Sequence, residues 1–303
     1  MIFLFLKGSE IMLISKKEMM LKVIHNNIDN FRCPFCHRSI KVIDNGSLLC
    51  SKNHTFDISK QGYIHMLNHP ARNFYNKDLF YSRHKIITET GLYDSMHKII
   101  SENIIVNLDD EMKSTILLDA GCGEGSHLQR IMEISNNESI VGVGLDISRD
   151  GIRKAAKHYA VPIWLVGDLA NTPMADRSCH AILNILSPAN YKEFYRMLTG
   201  DGIIIKVIPG DHYLKELRET VFENRNGQPY ENKETVSLFK QNFNLFKKYK
   251  INEKKCLNQA ELINIAQMTP LVTKANKEKV KAFVRQKKAE ITIDLDILIG
   301  KKK

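Results

Sequence analysis

Two groups of residues in this chain have the types and the spacing to do chemistry. The first is Cys33-Pro-Phe-Cys36 followed by Cys50-Ser-Lys-Asn-His54. A C-x2-C knuckle sets two thiolates on one turn, and residues 37–49 are long enough for a hairpin that returns the second pair to the first. Three thiolates and an imidazole suit tetrahedral Zn2+. Protein fills all four positions, so Cys33, Cys36, Cys50 and His54 are expected to form a closed, structural site. A module of this size buries little core, and the metal would supply folding energy. The second group lies in residues 116–125, ILLDAGCGEG. An apolar run ends in Asp119. Gly121, Gly123 and Gly125 follow at every second place, with Glu124 inside the turn. Glycines let a ligand approach the main chain. A dinucleotide loop would read G-x-G-x-x-G and favour a pyrophosphate. Two carboxylates here repel phosphate and suit a ligand that carries positive charge.

Such a loop needs a strand before it and a helix after it, and the rest of the chain supplies a series of both. Apolar runs predict strands at 116–119, 140–146, 162–167, 181–186 and 202–208, with helices at 126–135, 149–159, 190–198 and 212–223 between them. A later strand is expected near 245–251, helices near 259–267 and 275–287, and a strongly alternating last strand at 290–299. Ahead of the series, 15–28 reads as a short amphipathic helix, and 78–106 as helical with a break at Gly91. Strands alternating with helices imply a parallel sheet covered on both faces. The expected organisation is an extension with a short helix at 1–30, a compact zinc-binding module at 31–73 and an α/β domain at 74–303.

The glycine loop resembles motif I of class I S-adenosylmethionine (SAM) methyltransferases, whose ligand carries a sulfonium and an ammonium group. The expected fold is therefore that Rossmann-like class: a mostly parallel sheet with an antiparallel last strand, plus the small zinc-binding N-terminal domain. In such a sheet the ligand sits at the C-terminal edges of the central strands. Asp119, Gly121, Gly123, Glu124 and Gly125 follow the first strand. Asp146 ends the second in VGVGLDIS, where a carboxylate can accept both ribose hydroxyls; a helix N-cap is the alternative. Asp168 follows the third in LVGDLANTP, where an acid can take the adenine amino group. Ser187-Pro188-Ala189 follow the fourth, where amino-group methyltransferases carry N/D-P-P-Y/F. Their absence disfavours attack by an exocyclic amine.

From Cys33 to the last strand the chain resembles the RlmA/TlrB-type ribosomal RNA methyltransferases, which methylate N1 of a guanine in hairpin 35 of 23S rRNA. The resemblance is carried by CPFC, CSKNHTFDISKQGYIHML, RHKIITETGLY, DAGCGEG, LDIS, ILNILSPA, VIPGDHYLKEL and AQMTP. It implies a zinc ribbon that helps grip RNA, SAM as methyl donor and a homodimer. By position it places SAM contacts on Tyr93, Gly123, Glu124 and His212. Two departures leave the chemistry untouched: Thr199-Gly200-Asp201-Gly202 stands where the family often has Lys-Pro-Gly-Gly, and the segment before Cys33 is longer than in many members.

Guanine N1 carries a proton that must leave in the transition state. The acids near the site, His212 and Glu193 are candidate bases, and none is singled out. Ser187–Ala189 are expected to line the guanine pocket. An RNA-loop base is splayed out and stacked on aromatics; Phe74, Tyr75, Phe80, Tyr81, Tyr93 and Tyr191 are available, although most aromatics in such a domain are core.

The formal net charge of +10 is compatible with a polyanionic partner. Residues 31–98 carry ten Lys/Arg against five Asp/Glu, and 250–303 thirteen against six. Of six cysteines, three belong to the zinc set and Cys122, Cys179 and Cys256 are scattered, which is no disulfide framework. The apolar start MIFLFL is too short to span a membrane and lacks a cleavage site. A cytoplasmic protein is expected, with Met12 as an alternative start. His37, His65 and His69 read as surface or packing residues. Two other classes stay open: a methyltransferase of a small molecule, and a SAM- or RNA-binding protein without catalysis.

Overall fold

The structure is a computed structural model that describes residues 3–7, 10–43, 46–67, 77–108, 114–221, 232–269, 272 and 276–303. Strands β1 (Phe3–Lys7) and β2 (Glu10–Ile14) form an antiparallel hairpin. Helix α1 (Lys16–Asn26) begins at Ser15, whose side chain accepts from the Glu18 N–H while the Glu18 carboxylate accepts from the Ser15 N–H. That reciprocal box fixes the helix start. Met20 and Ile24 are its buried residues.

Strands β3 (Ile40–Val42), β4 (Ser47–Cys50) and β5 (Thr55–Asp57) form a three-stranded antiparallel sheet. The expected return of the chain between the two ligand pairs is the β3–β4 hairpin. Strand β6 (Tyr63–His65) then leaves this sheet and joins a larger one. Helices α2 (Lys77–Glu89) and α3 (Asp94–Asn107) are parted at Gly91.

The alternating series follows: β7 (Thr115–Ala120), α4 (Ser126–Ser135), β8 (Ile140–Asp146), α5 (Arg149–His158), β9 (Ile163–Val166), β10 (Cys179–Ile185), α6 (Tyr191–Met197), β11 (Leu198–Pro209) and α7 (Lys215–Val221). Helix α8 (Lys233–Asn242), β12 (Asn244–Asn258), α9 (Gln259–Gln267), α10 (Lys277–Val284) and β13 (Lys288–Lys301) complete it. The large sheet has the order β12-β13-β11-β10-β7-β8-β9-β6. Strands β6 to β11 within it run parallel, and β13 is antiparallel to both neighbours. Every residue of β7 and β9 is buried, as a central parallel strand covered on both faces requires.

The 31–73 segment is joined to the large sheet in two ways. Tyr63 pairs with Trp164 and His65 with Val166 across β6 and β9. Residues 30–34 also line up on the segment after β9: the Arg32 N–H donates to the Pro173 carbonyl at 2.8 Å, and Asn171 Nδ2 to the Pro34 carbonyl at 2.5 Å. The metal module is thus fixed against the edge where a ligand of the sheet would lie. His37 and His65 are exposed; His69, Phe74, Tyr75 and residues 222–223 lie outside the described residues.

Candidate active site and metal centre

The four expected metal ligands converge. One ligand atom from each of Cys33, Cys36, Cys50 and His54 lies within 4.8 Å of all the others. His54 Nδ1 stands 3.4 Å from Cys33 Sγ and 3.3 Å from Cys50 Sγ, and Cys36 Sγ lies 3.6 Å from Cys50 Sγ. A tetrahedral zinc with ordinary Zn–S and Zn–N bonds separates its ligand atoms by about 3.5–3.8 Å, so the set fits the ion. Backbone N–H groups of Lys52 and His54 donate to Cys50 Sγ, and that of Phe35 to Cys33 Sγ. These contacts favour thiolates. The Phe35 ring closes the site, edge-on to His54 and Phe56.

The second group sits at the end of β7. Asp119 and Glu124 are both 1 % exposed. Burial pushes the Asp119 carboxyl up to about 7, although Arg83 pulls the other way, and burial also raises Glu124. Asp119 Oδ1 and both Glu124 carboxylate oxygens have no hydrogen-bond partner. Glu124 is instead ion-paired with Arg83 Nε at 3.2 Å. Buried acceptors left open in a glycine turn fit a ligand bearing ammonium, sulfonium or hydroxyl groups.

Asp146 is not a helix N-cap; Ser148 caps α5. The Asp146 carboxylate accepts from the Gly123 N–H at 2.8 Å and the Ser148 N–H at 2.7 Å, and so clamps the glycine turn to the end of β8. Gly123 has φ +60°, and a Cβ there would lie 3.7 Å from Arg83 and Phe80. Space is sufficient, and the backbone angle is the obstacle. Gly123→Val places a β-branched residue in the left-handed region, at a cost of roughly 1–3 kcal/mol. Calorimetry is expected to show SAM affinity reduced by at least about fivefold; unchanged affinity would put the ligand elsewhere. At Gly125 (φ +82°) the constraint is packing as well: a Cβ would stand 2.4 Å from the Trp164 ring, which anchors the loop from below.

A cavity of about 570 Å3 opens beside this turn. Its polar lining includes Arg83, Tyr93, His127, Ser187, Lys206 and Arg218, and its apolar walls Leu186, Pro188, Val207, Ile208 and Met268. Tyr93 and Tyr213 share a hydroxyl hydrogen bond of 2.7 Å, and burial pushes the Tyr93 phenol well above its ordinary range. Ser187 Oγ donates to the Ala120 carbonyl at 2.8 Å, which joins the loop after β10 to the glycine turn. Leu186 and Leu214, both cavity residues, hold positive φ (51° and 52°). For bulky residues this is stored strain of the kind found at functional sites.

The expected residues divide clearly. Tyr93, Ser187 and Pro188 line the cavity, and Asp119, Glu124 and Asp146 gather around the glycine turn. Asp168 lies outside the lining and accepts from the Ala170 N–H in a local turn. The His212 ring is exposed, and its backbone N–H donates to Asp294. Glu193, considered as a base, is bound elsewhere: it accepts from Thr172 and Arg196, which hold its carboxyl down at about 2 against the opposing effect of burial. Tyr81 is exposed with the Lys154 ammonium 4.6 Å from its ring centroid, whereas Phe80 and Tyr191 are core.

Residues 31–73 match the family described as RlmA, N-terminal, and residues 117–202 match a methyltransferase domain. A Bacillus subtilis (strain 168) protein named "Putative 23S rRNA (guanine-N(1)-)-methyltransferase YxjB" is 38% identical over 274 residues, 90% of this chain and 97% of its own. The chain belongs to that methyltransferase family. The 23S rRNA (guanine(748)-N(1))-methyltransferase of Streptomyces fradiae is 28% identical over 63% of this chain and 68% of its own. Among solved structures, a geranyl diphosphate methyltransferase in complex with SAM aligns over 68% of this chain and 85% of its own, at 13% identity and a TM-score of 0.42.

The methyl donor of this family is SAM, and the Cys/His module is a zinc ribbon. Arg83 and Lys206 are among the cavity residues that were not singled out from the sequence. Arg83 lies in the segment RHKIITETGLY and brings a guanidinium to Glu124. Lys206 is the one charged side chain in IIIKVIP, and a lysine inside an apolar strand run was the available signal.

Proposed function

We propose that this protein transfers a methyl group from SAM to N1 of a guanine in hairpin 35 of 23S rRNA. The observation that carries the reading is the juxtaposition of a zinc ribbon with the ligand-binding edge of a methyltransferase sheet, through β6–β9 pairing and the Arg32–Pro173 contact. An enzyme of small metabolites has no use for such an appendage. SAM supplies an activated methyl with a good leaving group, so the protein mainly positions the reactants.

In this reading SAM lies along Asp119, the Gly121–Gly123–Glu124–Gly125 turn and Asp146, with Asp168 toward the adenine. Glu124 and Arg83 offer one anion and one cation to its amino-acid end. Tyr93 forms the wall between that end and the cavity that receives the guanine over Ser187-Pro188. His212, with its ring in solvent, is left out of this arrangement. The zinc ribbon and the basic ends of the chain grip the RNA. The protein acts in the cytoplasm as a homodimer; among the described residues no helix is long and apolar enough to cross a membrane.

Deletion of the gene tests the assignment. Mass spectrometry of 23S rRNA nucleosides is expected to show loss of one 1-methylguanosine, restored by the gene in trans. Unchanged rRNA would exclude the proposal.

A further inference from the structure

Strand β11 runs Ile203-Ile204-Ile205-Lys206-Val207-Ile208, covered on both faces, and Lys206 is only 4 % exposed. A lysine so placed needs a reason, since burying an ammonium without a counter-charge is costly. Among the described residues no carboxylate pairs with Lys206. Its Nζ donates to Asn184 Oδ1 at 2.5 Å and to the Ser187 carbonyl at 3.2 Å. The Asn184 amide cannot turn over, because its Nδ2 is committed to the acceptors Ala120 O and Pro188 O, each at 2.9 Å, and to Ser187 Oγ. The amine is therefore held by two neutral acceptors at the wall of the cavity.

The other cavity groups are poorly suited to take a proton. Arg83 and Arg218 do not release theirs. Tyr93 and Tyr213 are bonded to each other. His127 shares a 2.8 Å hydrogen bond with buried His97, and burial pushes its pKa well below the ordinary range, so it is a weak base. On the neighbouring strand β13, Asp296 is engaged by Lys248.

We propose that Lys206 is the base that takes the N1 proton of the target guanine. This rests on the reading that guanine N1 is the methyl acceptor. As a neutral amine, Lys206 spends its two N–H bonds on Asn184 Oδ1 and the Ser187 carbonyl, which leaves its lone pair for the cavity. In the reaction that lone pair forms a bond to the N1 proton. The N1–H electron pair attacks the methyl carbon, and the carbon–sulfur pair leaves with sulfur. The product is an ammonium whose two protein acceptors are already in place and whose third N–H faces the methylated base. Solvent then takes the extra proton. Burial lowers the Lys206 pKa to about 8, which keeps a useful fraction of neutral amine at physiological pH.

Single-turnover methylation of a hairpin transcript tests this, together with calorimetric affinities for SAM and RNA. Lys206→Arg keeps a cation and donors toward Asn184 but cannot accept a proton. Lys206→Met removes the amine at similar length. Both are expected to bind SAM and RNA within about threefold of wild type and to methylate roughly 10²–10⁴-fold more slowly. The wild-type rate should rise with pH and level off near 8, and that limb should vanish in the variants. Lys206→Ala should regain rate as free methylamine is added. The Lys206 Cε signal of 13C-lysine-labelled protein, assigned by its loss in Lys206→Arg, should titrate near 8. Three results would each overturn the proposal: a variant rate within about tenfold of wild type, a flat wild-type pH profile, or a Lys206 signal that titrates with the surface lysines. Wild-type protein that makes no 1-methylguanosine would instead refute the functional reading on which the proposal rests.

Discussion

Chelation of the metal will unfold the knuckles and the β3–β5 sheet while the large sheet keeps its ligand. Freshly purified protein is expected to carry one zinc per chain. The three short strands of that sheet have few apolar residues to bury; Ile40, Leu48 and Phe56 are the principal ones. Structural zinc sites in small modules contribute roughly 10–16 kcal/mol of apparent binding energy, far more than such a core can replace. Cys36→Ala or His54→Ala should have the same effect as the chelator. SAM affinity should persist, because Asp119 and Asp146 stand on β7 and β8, inside the large sheet, and Glu124 in the turn that follows β7. RNA affinity should fall steeply. Hydrogen exchange separates the two regions: residues 33–57 lose protection and 115–146 retain it. Protein without zinc, or with 33–57 still protected after chelation, would remove the metal from the account.

Asp146→Ala has the second large effect. The carboxylate accepts two backbone N–H groups, one of them in the glycine turn, and both donors would be left without it. A hydrogen bond to a charged acceptor is worth about 1.5–3 kcal/mol. SAM affinity should therefore drop by roughly 10–100-fold or more, through loss of the clamp on Gly123 and of the proposed contact to the ribose. Asp146→Asn keeps one acceptor oxygen and should fall between. Calorimetry with SAM reads both, and wild-type affinity in Asp146→Ala would displace the cofactor from this turn.

Much of this architecture is legible in the sequence where burial writes a strong pattern. The apolar runs at 140–146 and 126–135 appear as β8 and α4 with those bounds, because central strands and amphipathic helices must repeat apolar residues at fixed spacing. The pattern weakens at the edges. The run expected at 245–251 extends to Asn244–Asn258, since β12 is a lysine-rich edge strand with most side chains in solvent. Edge strands carry such charges to resist pairing with other chains, and the charges hide the strand. Helix α8 has the same low contrast, with Phe239 as its one buried residue. The β6–β9 pairing has no local signal at all, because three residues find their partner a hundred positions away. Helix α7 starts at Lys215 rather than 212 because the Gly210 and His212 N–H groups are tied to Asp294 in a turn first.

The site was readable where chemistry demands particular residue types close together, as in CPFC, CSKNH and DAGCGEG. Residues whose role depends on distant partners were not. Glu193, three positions into α6, resembles a solvent-facing helix residue in sequence; in the fold it is buried by Thr172 and Arg196 and lies 3.8 Å from Arg32 of the zinc module. Lys206 becomes informative only once Asn184 and Ser187 stand beside it.

The central claim is that this chain methylates N1 of a guanine in ribosomal RNA. A hairpin transcript incubated with the zinc-loaded protein and SAM, then digested to nucleosides for mass spectrometry and read by primer extension, tests it most directly. The expected result is 1-methylguanosine together with a reverse-transcriptase stop at one guanine, since a methyl on N1 removes a Watson–Crick donor. A methyl on N2, on N7 or on the 2′-oxygen, or no methyl on RNA at all, would contradict it.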